Sequence, residues 1–118
     1  MAKRDLTGAV DFAYLENFAA SDAAMIEEVL GLFREQAEMW RIMLEPGGEG
    51  CRDALHAVKG TARGIGAFDL GAACERAETD GAGGLAEVHM ALDAALFDIA
   101  AYLHELALKS LGPAKSRI

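Results

Sequence analysis

Aromatic residues make up only 7% of this 118-residue chain, and proline occurs twice. Strands draw on β-branched and aromatic runs, so their scarcity argues against a sheet. The cysteines, Cys51 and Cys74, are too few for a disulfide framework. Neither stands in a CxxC or Cys/His ligand spacing, so buried reduced thiols are expected and a metal centre is not. No apolar run approaches the roughly 18 to 20 residues that span a bilayer. The most apolar stretch, after Leu85, is broken by Asp93, Asp98 and Glu105. The opening MAKRDLTGAV has charge but no apolar core of a secretion signal. A cytoplasmic protein without membrane contact is expected. Positive charge is also short, 11 Lys and Arg against 19 Asp and Glu, for a net charge of -8. That balance opposes the phosphate attraction on which nucleic-acid binding rests. A Gly-rich phosphate loop is missing too, which argues against an ATP-dependent kinase.

What is present favours helices. The chain is 53% hydrophobic and rich in Ala, Leu, Glu and Met. Breaks fall at Ser21-Asp22, Glu45 to Gly48, Gly64 to Gly66, Asp80 to Gly84 and Gly112-Pro113. Between them the pattern predicts a short helix near Asp11 to Ala19 and a long one from about Asp22 to Leu44. A third runs from roughly Glu49 to Arg63, a fourth follows the Gly64 to Gly66 turn, and a last covers about Leu85 to Leu108. The long helix carries a core stripe at Ile26, Val29, Leu30, Phe33, Ala37, Trp40 and Leu44. Met25, Leu32, Met39 and Met43 form a second stripe, for which core packing is the better reading. The last helix repeats Leu85, Val88, Leu92, Leu96, Ile99, Leu103 and Leu106. The expected fold is all-α: one domain over 1–118, an antiparallel up-and-down four-helix bundle with its core at about 22–110, and a short additional N-terminal helix. Pro113 to Ile118 is expected to be a loose end.

The third helix holds the chemistry. At 100° per residue, Cys51, Ala54, Leu55, Val58, Ala62 and Ile65 gather on one side, and His56 points about 150° away from them. His56 therefore faces solvent. Arg52, Lys59 and Arg63 share its side of the helix, a cationic strip on an acidic chain. Gly60 costs about 1 kcal/mol relative to Ala inside a helix, and close approach of another molecule to His56 is a reason to keep it. An imidazole nitrogen so placed can attack a phosphoryl group and hold it, with Lys59 and Arg63 offsetting the phosphate charge. His89 and His104, beside the apolar stripe of the last helix, suit boundary positions without a special role. Asp69 suits a helix-dipole partner.

The stretch HAVKGTARGIGAFDLGAACERAE, His56 to Glu78, resembles the histidine-containing phosphotransfer (HPt) family. The resemblance implies that His56 is the phosphoacceptor, Lys59 the phosphate-proximal lysine and Gly60 the clearance glycine. Thr61 stands where Ser is common and Ile65 where Leu is common. Gly66 and Ala67 form the turn, and Leu70, Cys74 and Glu78 follow at the family's spacing. Arg63 departs from the small or polar residue often found there, which bears on partner choice. The resemblance further implies a monomeric carrier in a His-Asp phosphorelay with no cofactor of its own. Its partners are response-regulator receiver domains, which supply Mg²⁺, and a sensor or hybrid histidine kinase. A competing reading is a non-catalytic module that docks on a receiver or kinase through the same face, with Leu32 and Met39 as contacts. A di-iron bundle would need inward Glu-x-x-His pairs. Asp53-x-x-His56 comes nearest, and its histidine points outward.

Overall fold

A computed structural model describes residues 8–116, and side chains throughout that range except at 81–82 and 110–116. The elements are α1 (Phe12–Phe18), α2 (Ala23–Met43), α3 (Cys51–Ile65), α4 (Phe68–Asp80), a 3-10 turn (Gly81–Gly84) and α5 (Leu85–Ser116). Among the described residues there is no strand. The chain is all-helical, and no described helix is long and apolar enough to cross a membrane.

Capping explains where the first helices begin. The Asp11 and Asp22 side chains accept the amide hydrogens of Tyr14 and Met25, the N-cap bond that satisfies an otherwise orphaned donor. Ser21 and Ala20 sit at positive φ (59° and 54°) in the intervening turn, which leaves the cap to Asp22. α2 packs on α3 and α5, and α4 packs on the same two, so α3 and α5 face each other across a shared core. That core contains Ile26, Leu30, Phe33 and Trp40 of α2, Val58 and Ala62 of α3, Leu70 and Cys74 of α4, and Val88, Leu92 and Ile99 of α5.

Four expectations are corrected. α3 starts at Cys51 behind Gly50 at φ +86°, and it continues through Gly64 to Ile65. Gly66, at φ +92°, ends it in the left-handed conformation that glycine adopts without strain. A Cβ there would lie 2.7 Å from the Asp11 carbonyl oxygen, because the Asp11 amide donates to the Gly66 carbonyl at 2.9 Å. α5 continues past Leu108 and Pro113 to Ser116. Proline withdraws only its own N–H, and the helix formers on either side carry the helix across it; residues 117–118 of the expected loose end lie outside the described residues. Met25, Leu32 and Met39 are exposed, with Met39 at 63%. The core covers one arc of α2, and that arc is already filled by Ile26 to Trp40. Finally, His89 is not a bystander: its Nε2 donates to the Leu44 carbonyl at 2.7 Å and ties α5 to the end of α2.

Candidate functional site

α3 buries Ala54, Leu55, Val58, Ala62 and Ile65 against the core. Tertiary burial holds a helix that two interior glycines weaken. The opposite arc carries His56, whose side chain is 78% exposed. Gly60 is exposed one turn further on, and a Cβ built there would meet nothing within 4 Å. No packing inside the molecule calls for glycine at this position. Gly64 repeats the pattern one turn below, so the helix surface beyond His56 is bare backbone.

The other flank of His56 faces α4, and the cationic strip meets carboxylates there. Lys59 Nζ donates to Glu78 Oε1 at 2.6 Å and is only 19% exposed. Glu78 turns its second oxygen, Oε2, toward His56 Nδ1 at 3.6 Å, just beyond hydrogen-bond range. Arg63 pairs with Glu75 at 2.7 Å, its stem lying over Gly71, where a Cβ would come within 3.0 Å of Arg63 Cγ. Lys59 and Arg63 are therefore held by α4 and are not loose charges. Arg52 lines a cleft of about 330 Å³ with Gly48, Cys51, Leu55, Glu78 and Leu85, on the N-terminal side of His56. Thr61 is half-buried and lies about 140° round the helix from His56, so the structure does not bring it to the imidazole.

Glu78 is the residue that helix-wheel reasoning on α3 alone misses. Its only trace in the sequence is its place at the end of the His56 to Glu78 stretch. The Lys59 hydrogen bond holds its carboxyl below the usual carboxylate range, with burial opposing and His56 adding a smaller pull. Cys74, one turn earlier on α4, is buried beneath the site, and burial, then the Glu78 charge, pushes its thiol up to about 11. It is a packing group at neutral pH. Among the described residues no group of three His, Cys, Asp or Glu could hold a metal ion.

The Glu78 shift has a sign that can be checked. A carboxyl whose folded pKa is depressed contributes stability that is complete above its unfolded value, near 4.5, and is lost as pH falls through the depressed one. The Tm difference between wild type and Glu78→Gln should be present at pH 6 and shrink steadily toward pH 3.

No protein-family model matches the chain, and no curated protein does. Among solved structures, the crystal structure of histidine phosphotransferase ShpA from Caulobacter crescentus matches with a TM-score of 0.82 and 63% sequence identity, over 88% of this chain and 99% of that one. At that identity and coverage, the exposed histidine of α3 belongs to a known kind of protein: the chain is a member of the histidine phosphotransfer family.

Proposed function

We propose that this chain is a phosphocarrier whose His56 takes a phosphoryl group from the aspartyl phosphate of one receiver domain and passes it to another. The observation that carries this reading is the setting of His56: an open imidazole backed at Nδ1 by Glu78 and flanked by the bare backbone of Gly60. A proton on Nδ1 faces the Glu78 carboxylate, which leaves the Nε2 lone pair pointing outward. That lone pair forms the N–P bond while the aspartyl O–P bond breaks and its electrons return to the receiver's carboxylate. The ring then carries positive charge beside Glu78, which stabilises it. Lys59 Nζ, held at Glu78, is within a side-chain rotation of the new phosphate and can divide its hydrogen bonds between them.

Mg²⁺ and most of the catalysis belong to the receiver, since phosphoryl transfer depends chiefly on positioning and charge neutralisation. This domain has no kinase activity of its own, and a sensor or hybrid histidine kinase feeds the relay. The cytoplasm is its place of action. α2 to α5 form the antiparallel up-and-down four-helix bundle, and the whole chain is one domain. The stripe of Leu32 and Met39 shares its flank of α2 with Met43, whose methyl lies against Gly50 at the start of α3. It offers a receiver apolar contacts beside the imidazole. The docking-only alternative uses the same surface and differs in outcome: it binds phosphorylated receivers and acquires no label.

Mixing the protein with phosphorylated receiver domains should therefore put an acid-labile, base-stable phosphoryl group on it; binding without label would replace the carrier by the docking module. Two substitutions refine the test. Lys59→Ala should slow transfer by about 10-fold or more, the worth of a hydrogen bond to a charged group, while stability changes by no more than about 1 kcal/mol. Gly60→Ala should stabilise the fold by up to about 1 kcal/mol, because its methyl meets open space. Gly60→Leu should obstruct the receiver and slow transfer without unfolding the protein.

A further inference from the structure

The outward face of α5 carries a second pattern, unconnected with His56. Met90, Ala94, Phe97, Ala101, His104 and Leu108 follow one another at alternating spacings of four and three residues, the period of a helix that packs along another helix. The core-facing residues of the same helix, Val88, Leu92, Ala95 and Ile99, lie on its opposite side and are buried. On the outer face, Met90 is 72% exposed, Phe97 58% and Leu108 53%. None of the six positions carries an acidic side chain, on a chain of net charge -8. The seam spans about 27 Å at 1.5 Å per residue.

We infer that this face pairs with the same face of a second copy of the chain, as an antiparallel helix pair centred beside Ile99. The spacing itself names the occupant, because the series is a palindrome about that point. With the two helices antiparallel and in that register, Phe97 meets Ala101 of the second copy, Ala94 meets His104, and Met90 meets Leu108. At the two inner layers a bulky side chain faces an alanine, so both layers fill evenly and the backbones approach closely. Parallel pairing would set Phe97 on Phe97, His104 on His104 and alanine on alanine, alternating crowded layers with empty ones. Antiparallel helices also oppose their dipoles favourably. The contact is isologous and closes after two copies.

A receiver domain does not suit this face, because α3 and α5 face each other across the core and a receiver seated on α5 could not reach His56. A dimer built through α5 instead leaves both imidazoles on its outer sides, available together. The patch is small, at or below the roughly 1,200 Å² of stable interfaces, so the pair is a weak one and should be sought at protein concentrations up to about 1 mM.

Sedimentation of the full chain over that range should show a reversible shift from monomer to dimer. Phe97→Glu should remove the shift while Tm and phosphoryl transfer stay at wild-type levels. Register is read with cysteines in a Cys51→Ser background. Ala94→Cys and His104→Cys proteins should form disulfide dimers on mild oxidation when mixed, and far less when each is alone. A monomer throughout the range, or a dimer indifferent to Phe97→Glu, overturns the proposal. Efficient self-linking of Ala94→Cys alone overturns the antiparallel register.

Discussion

His56→Gln should abolish the acid-labile phosphoryl label completely and leave the fold essentially as stable as before. The two halves of that result have separate causes. The imidazole is 78% exposed, and surface substitutions away from packing features usually shift stability by no more than about 0.5 kcal/mol. Glutamine keeps a polar group of similar reach, but its amide nitrogen has given its lone pair to the carbonyl and cannot form an N–P bond. The other histidines supply the contrast. His89 spends Nε2 on the Leu44 carbonyl in a half-buried position, so it has no outward nucleophile on that nitrogen. His104 is exposed on α5, with neither a glycine one turn on nor a lysine-bound carboxylate behind it. Phosphotransfer from a labelled receiver, followed by acid and base treatment, should show label on His104→Gln at the wild-type level and none on His56→Gln. Label on His56→Gln would move the acceptor elsewhere.

Phe33→Ala should produce the largest loss of stability. Phe33 is among the largest fully buried side chains, at the centre of α2, and meets the Trp40 ring edge-on with centroids 5.4 Å apart. Removing an aromatic ring from such a site costs about 3 to 5 kcal/mol, through lost transfer energy and the cavity left behind. That is a large fraction of the roughly 5 to 15 kcal/mol by which a domain is stable. Thermal melting should fall by on the order of 15 °C. Phosphoryl transfer measured well below the new Tm should persist, because no atom of Phe33 belongs to the His56 surface. Loss of transfer in a folded Phe33→Ala protein would instead couple core packing to the site.

Much of this was legible in the residues, and the misses have a common cause. α2 follows its predicted span within about a residue because one stripe, one cap and one loop mark it independently. His56 could be placed outward from α3 alone, since a single helix sets its own angles. What could not be read is which residues of a neighbouring helix come level with them. Lys59 and Glu78 are 19 positions apart, and only the packing of α3 on α4 makes them partners. A cationic strip in the sequence thus became, in the fold, a pair of ion pairs with one carboxylate turned to the imidazole. The methionine stripe misled for a related reason. Apolar character records what a helix can bury, whereas the neighbours decide which arc is covered. The glycines and proline near 64 and 113 signal breaks that helix continuity overrode.

The buried Asp98 carboxylate accepts the Ala9 amide hydrogen at 3.0 Å across 89 residues of sequence, and Phe12 stacks on Tyr102 with ring centroids 4.2 Å apart. The segment leading into α1 thus leaves the ribosome about ninety residues ahead of the helix it must meet. Until α5 has been synthesised, the aromatic ring of Phe12 has no platform and the Ala9 amide has no acceptor. Joining them closes a loop nearly as long as the chain, whose entropic cost must be met before the contact returns anything. The three intervening helices can collapse on one another first, through contacts close in sequence. Docking of the N-terminal segment should be the last step of folding, and amide exchange at Ala9 should report the completed bundle.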